Sequence, residues 1–309
     1  MANRPRLSTM IHNDHLNPFD LNRVVTELQE ARDVFGLDSV QFVMWDMTVL
    51  NADHAKNVIK PLMDEYGLTV NEFWCGFGKP HVYGDMYASS TLGLVPAAYR
   101  QQRMYDYFKG IEYAKILGTD LICTELGHTP INPLDEGYVG LVCTLKQIAE
   151  ELEKHDAYLL EETARTPATI LARLVEDVGS DRIGFNLDPA NLTSSGNEAT
   201  YAVDCLGPMI KAVHLKDSIH PVYPSRRGGA MFPLGSGDVN WPVIIQKLKD
   251  LDYAGALTLE YARPTTHGMY VSAAAHLNRL QPPISPEGRV EEMKASFGFI
   301  NKVLDDVYK

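Results

Sequence analysis

The sequence predicts an α/β fold, a (β/α)8 TIM barrel, and three observations carry that expectation. Short apolar runs alternate with longer amphipathic stretches along the chain, eight of each. No low-complexity tract or Ser/Gly-rich linker divides them. An open doubly wound sheet would place a glycine-rich phosphate turn after its first strand, and "IHNDHLNPFD" offers none. A length of 309 residues would allow two domains on a simple length prior, but it fits one barrel of about 250 residues with insertions equally well. The expectation is a single domain over 1–309, with an extended segment, 262–309, after the eighth strand that serves as a lid or a subunit contact.

The strand candidates are "RLSTMI" (6–11), "SVQFVMW" (39–45), "TVNEFW" (69–74), "DLICTE" (120–125), "AYLLE" (157–161), "IGFNLD" (183–188), "IKAVHL" (210–215) and "ALTLE" (256–260). Between them, stretches such as "DLNRVVTELQEARDVFG" and "WPVIIQKLKDL" space their apolar residues three and four apart, the helical period. Gly36, Gly67, Gly118, Gly179 and Gly207 each follow such a stretch, where a left-handed cap favours a residue without a Cβ. Asp20 and Thr166 are suited to cap the next helix, and Pro167 to stand in a first turn, where a missing N–H costs nothing.

Composition narrows the class. Apolar residues make up 45% and charged residues 22%, a balance that can bury a large core. A net charge of -12 argues against a nucleic-acid or anionic-membrane partner. Cys75, Cys123, Cys143 and Cys205 form no CxxC and sit in apolar settings, so four buried thiols in a reducing compartment are expected. The start of the chain has no apolar signal core, and no run approaches the roughly 20 residues of a membrane span. The expectation is a soluble, cytoplasmic protein.

In a parallel barrel, catalytic groups stand at the C-terminal ends of the strands. Four consecutive strands finish on or near a metal-ligating residue type: Glu161, Asp188, His214 and Glu260. Each alone has an ordinary explanation as a helix cap, a surface charge or a hydrogen-bonding histidine. On four successive strands they converge on one axis, where three carboxylates would repel one another and raise each other's pKa. A divalent cation resolves that conflict, and oxygen ligands with one nitrogen suit Mn²⁺, Mg²⁺ or Co²⁺.

The motifs "LLEETARTPATI", "GFNLDPANL", "AVHLKDS", "PLGSGDVNWPVIIQKL" and "GALTLEYAR" resemble those of the xylose isomerase-like TIM-barrel superfamily of sugar phosphate isomerase/epimerase type. Its members include ketose 3-epimerases, inosose dehydratases and apurinic-site endonucleases. The resemblance covers roughly Leu121 to Arg263, and the first three strands only loosely. It implies that Glu161, the first of two adjacent glutamates, is the ligand. Strand alternation is consistent with that choice, since Glu161 shares a face with Leu159 while Glu162 points the other way as a helix-side or supporting charge. The resemblance further implies that Glu161 and Glu260 act as acid and base on opposite faces of a substrate carbon.

Six residues are candidates for substrate contact. Asn191 follows Asp188 by three, where some relatives have His, and either bonds a substrate hydroxyl or caps the next helix. Lys216 shares a strand face with His214 and could polarise a substrate oxygen. His128 could line the mouth of the barrel after the fourth strand. Trp45 and Trp74 could stack on a sugar face or pack in the core. Arg226, in "SRRGGAMFPLGSGD", lies in the loop after strand seven, where barrels often bind phosphate, although turn chemistry explains its glycines.

The reading that follows is a divalent-metal-dependent sugar isomerase or epimerase acting through an enediolate. The alternative is a lyase that uses the same deprotonation for β-elimination, as an inosose dehydratase or a 3-oxo-glycoside or C-glycoside deglycosidase subunit would. An apurinic-site endonuclease is disfavoured: Asn191 replaces one expected histidine, "PSRRGGA" lacks an Asp-x-His, and the chain is acidic. The expected partner is a small sugar or sugar derivative, with no nucleic acid and no membrane. The expected assembly is a homo-oligomer, with a hetero-oligomer as the alternative.

Overall fold

The computed structural model describes residues 3–12, 18–82, 88–220, 231–261 and 283–309. Arg226 and the first part of the segment after the eighth strand, 262–282, therefore lie outside the described residues. Eight parallel strands are β1 (Arg6–Ile11), β2 (Ser39–Met44), β3 (Thr69–Cys75), β4 (Leu121–Thr124), β5 (Tyr158–Glu162), β6 (Ile183–Leu187), β7 (Ile210–Leu215) and β8 (Ala256–Leu259). They close into a barrel in the order β1-β8-β7-β6-β5-β4-β3-β2. The helices that follow them are α1 (Leu21–Gln29), α2 (Lys60–Tyr66), α3 (Ala97–Leu117), α4 (Glu136–His155), α5 (Ala168–Val178), α6 (Ala199–Leu206), α7 (Trp241–Asp250) and α8 (Pro286–Val307). Among the described residues, no helix is long and apolar enough to cross a membrane.

The chain divides into two compact units. In the unit of Ser8–Glu162 and Ile170–Phe185, strand residues Phe42, Phe73, Ile122 and Leu159 pack with helix residues Ile111, Leu145, Ile148 and Leu174. That layer between sheet and helices takes every second strand residue, so the alternate set faces the barrel interior. There Gln41 donates to Glu72 at 2.5 Å, both fully buried. Asp20 caps α1 by accepting from the backbone of Asn22 and Arg23, and Gly67 and Gly118 end α2 and α3 with φ of 65° and 88°. Two expectations change. Of the four cysteines, Cys143 is exposed and Cys205 half-buried, because each lies on a helix rather than a strand. The fifth strand runs on to Glu162, so both glutamates belong to it.

In the unit of Met1–Leu7, Thr163–Thr169 and Asn186–Lys309, β7 and β8 pair with Leu257 opposite Val213 and Leu259 opposite Leu215. The long segment after β8 ends in α8, which Ser285 caps through Gly288 and which Arg4 grips at Asn301 over 2.7 Å. Behind β7, the fully buried Asp217 organises the turn before α7. Its carboxylate accepts from Ser218 and Gly235 at 2.9 Å and from Val239 at 3.2 Å. Burial pushes this carboxyl up, and the N–H groups of Val239, Gly235, Gly237 and Ser218 pull it back only in part. Gly237 must lack a Cβ, which would stand 2.3 Å from the Asp217 Oδ1.

Asp217→Ala should therefore strand several buried N–H groups and lower the unfolding free energy by about 3 kcal/mol. Urea unfolding measures it, and a loss below about 1 kcal/mol would mean the turn holds without the carboxylate.

Candidate metal centre

Asp188 follows β6 directly and uses its two oxygens differently. Oδ1 accepts from the backbone of Asn191 at 2.8 Å and so caps the short helix Pro189–Ser194. Oδ2 is buried and makes no hydrogen bond. Positive charge does reach it: the Lys216 Nζ stands 2.7 Å away, in ion-pair contact without hydrogen-bond alignment. The His214 Nδ1 lies at 3.7 Å.

His214, on β7, is fully buried, with Nδ1 3.0 Å from the Glu260 Oε2 and Nε2 2.8 Å from the Asn186 side-chain nitrogen. Glu260 extends the pairing of β8 by one residue, donating its N–H to the Leu215 carbonyl. The Lys216 ammonium lies 2.8 Å from the Glu260 Oε2. Burial alone would raise the pKa of Glu260, but the charge of Lys216 and the hydrogen bond from His214 overcome it and bring the carboxyl down to about 2.

The backbone after β5 is fixed against β6. Thr163 donates its N–H to the Asn186 carbonyl at 3.0 Å, and its hydroxyl accepts from the Asp188 N–H at 2.8 Å. The residue covalently before it is Glu162. Glu162, Asp188, His214 and Glu260 each offer one ligand atom, and these atoms all lie within 4.8 Å of one another. Glu161, the expected ligand, is not among them.

The reason is the direction of the strand face, not its period. Glu161 does share a face with Leu159, but Leu159 belongs to the layer between sheet and helices. The Glu161 carboxyl accepts from the Leu126 N–H at 2.6 Å. Burial holds its pKa well above the usual carboxylate range; the Leu126 N–H opposes this, and Glu125 and Glu162 add to it. A carboxyl with a raised pKa gives up its proton to a cation less readily than an ordinary one.

Glu162 has its own support. Its Oε2 accepts from the Trp74 indole N–H at 2.9 Å. Trp74 is buried, and Trp45 packs against it with ring centroids 4.5 Å apart, with Phe77 and His81 beyond. Of the two settings open to Trp45 and Trp74, a sugar face or the core, they take the buried one and form an aromatic wall behind a carboxylate. Lys216, another expected substrate contact, is buried between Asp188 and Glu260. Asn191 and His128 are half-buried, Asn191 in the helix that Asp188 caps and His128 in the loop after β4.

One residue and one contact were not foreseen from the sequence. Asn186 is a polar residue inside the apolar strand "IGFNL", two before Asp188 and hence on its face, which was a legible signal. The bond from Trp74 to Glu162 joins residues far apart in the chain and had none.

The residues present suit a divalent cation. Three carboxylates and one imidazole form a hard, oxygen-rich donor set, and the Asp188 Oδ2 is a buried oxygen without a hydrogen bond. The family described as xylose isomerase-like TIM barrel matches residues 28–280. The chain belongs to that family.

Hydroxypyruvate isomerase of Escherichia coli (strain K12) is 24% identical over 191 residues, 58% of this chain and 70% of that protein. A xylose isomerase domain protein from Planctomyces limnophilus superposes with a TM-score of 0.77 at 20% identity, over 99% of both chains. L-ribulose 3-epimerase gives a TM-score of 0.71 at 16% identity, over 98% of this chain and 96% of its own. At these identities the two structures show the fold alone.

Lys216→Met tests the electrostatics of this centre. It removes the cation beside two buried carboxylates and should cost about 3 kcal/mol of stability in metal-free protein. Added Mn²⁺ should then raise the thermal midpoint of the variant more than that of the native chain; equal shifts would contradict the arrangement.

Proposed function

We propose that the protein is a divalent-metal-dependent isomerase or epimerase of a small sugar or sugar derivative, working by proton transfer next to a carbonyl. The observation that carries this reading is the grouping of Glu162, Asp188, His214 and Glu260 within 4.8 Å beside a buried ammonium, Lys216. These four residues would hold the cation, with Mn²⁺ preferred over Mg²⁺ or Co²⁺. When bound, it polarises the substrate carbonyl and acidifies the neighbouring C–H.

The rest falls to the chain. Glu162 and Glu260 are the two carboxylates suited to take a proton from one face of a carbon and return one from the other. The expected pair of Glu161 and Glu260 is revised accordingly. Trp74 holds one oxygen of Glu162 and so orients the carboxylate. Lys216 keeps Glu260 ionised, the state a base must start from, and its N–H donors can meet the oxygen on which charge develops.

The test uses a panel of ketoses in D₂O with Mn²⁺. Chelation should abolish turnover, and recovered product should carry deuterium at the carbon beside the carbonyl. Glu260→Gln should slow turnover by about 10²–10⁴-fold. An unsaturated ketone or a released aglycone as the product would replace isomerisation with β-elimination. Direct movement of substrate deuterium from C2 to C1 without solvent exchange would overturn proton transfer altogether.

A further inference from the structure

We propose that Asn186 is a positioning residue that decides which ring nitrogen of His214 is available to a cation. The inference rests on the metal-centre reading above and adds a residue to it. Asn186 and His214 are both fully buried on neighbouring strands, and the Asn186 amide meets the His214 Nε2 at 2.8 Å. That contact turns the opposite nitrogen, Nδ1, toward the Glu260 Oε2 at 3.0 Å and the Asp188 Oδ2 at 3.7 Å.

The chemistry of a neutral imidazole makes this contact selective. One ring nitrogen carries the hydrogen and the other carries the lone pair. With the amide nitrogen facing Nε2, as here, Nε2 accepts and the hydrogen sits on Nδ1, directed at Glu260. A cation at Nδ1 needs the lone pair there, so the hydrogen must move to Nε2, which then needs an acceptor. An amide supplies one by turning over, presenting oxygen in place of nitrogen at the same distance. A carboxylate at 186 could only accept, and an apolar side chain could do neither.

Asn186 thus supports both the metal-free and the metal-loaded ring without adding a fourth negative charge to three carboxylates. Its backbone serves the same site, since the Asn186 carbonyl accepts the Thr163 N–H that follows Glu162. Backbone and side chain of one residue therefore fix two of the four ligands.

The experiment is calorimetric titration of the full chain and two variants with Mn²⁺, with circular dichroism to establish that each is folded. Asn186→Leu keeps the branched shape and removes the acceptor; its Mn²⁺ affinity should fall by about 10–100-fold. Asn186→Asp keeps an acceptor for Nε2–H and should bind Mn²⁺ at least as tightly as the native chain. If the leucine variant binds as tightly as the native chain, or if folded leucine and aspartate variants weaken equally, the positioning role is overturned while the metal centre stands. A native chain that takes up neither Mn²⁺ nor Co²⁺ overturns the centre itself.

Discussion

Three carboxylates cannot share a buried space without positive charge, and the site is organised around that constraint. Two unit charges 4.8 Å apart repel by about 3 kcal/mol at an effective dielectric of about 20, and three carboxylates make three such pairs. Lys216 offsets part of this, reaching both Asp188 and Glu260, and the His214 ring directs a nitrogen at the same two groups. The remaining negative charge suits the cluster to a divalent cation. Burial sharpens the effect, because water reaches neither Asp188 nor His214 to screen them.

The same economy appears in how single residues serve two ends. Asp188 commits one oxygen to a helix N-terminus and leaves the other to the site. Thr163 ties the residue after Glu162 to β6 through both its N–H and its hydroxyl. Asp217, next to Lys216 in sequence, spends its whole carboxylate on the backbone of the turn before α7. Polar side chains on neighbouring strand positions therefore divide cleanly. Lys216 pairs its charge with Asp188 and Glu260, and Asp217 holds the backbone of the turn.

Much of this was legible in the sequence because strand periodicity and strand-end position are local properties. The alternation of eight apolar runs with helical stretches led to the closed parallel barrel, and Asp188, His214 and Glu260 followed from where three runs end. The clustering of Glu162 rather than Glu161 with the other three turns on something that periodicity cannot reach. Alternation tells which residues share a face, but in a barrel covered by helices both faces are apolar and buried. Leu159 at 0% and Leu160 at 0% exposure look alike from either side. Only the packing of Leu159 with helix residues says which face is outward. The tryptophans were open for a different reason: an indole at a strand end fits a sugar face or the core equally well until its packing is known, and both are buried.

The adjacent glutamates offer the most direct test of the account, since they differ by one residue and by face alone. Mn²⁺ binding should be measured by calorimetry on Glu161→Gln and Glu162→Gln side by side, each with its thermal midpoint. Near-native affinity is expected for Glu161→Gln, whose carboxyl lies outside the cluster and accepts from the Leu126 N–H, and a loss of at least about 10-fold for Glu162→Gln. The reverse order, or equal losses in two equally stable variants, would contradict it.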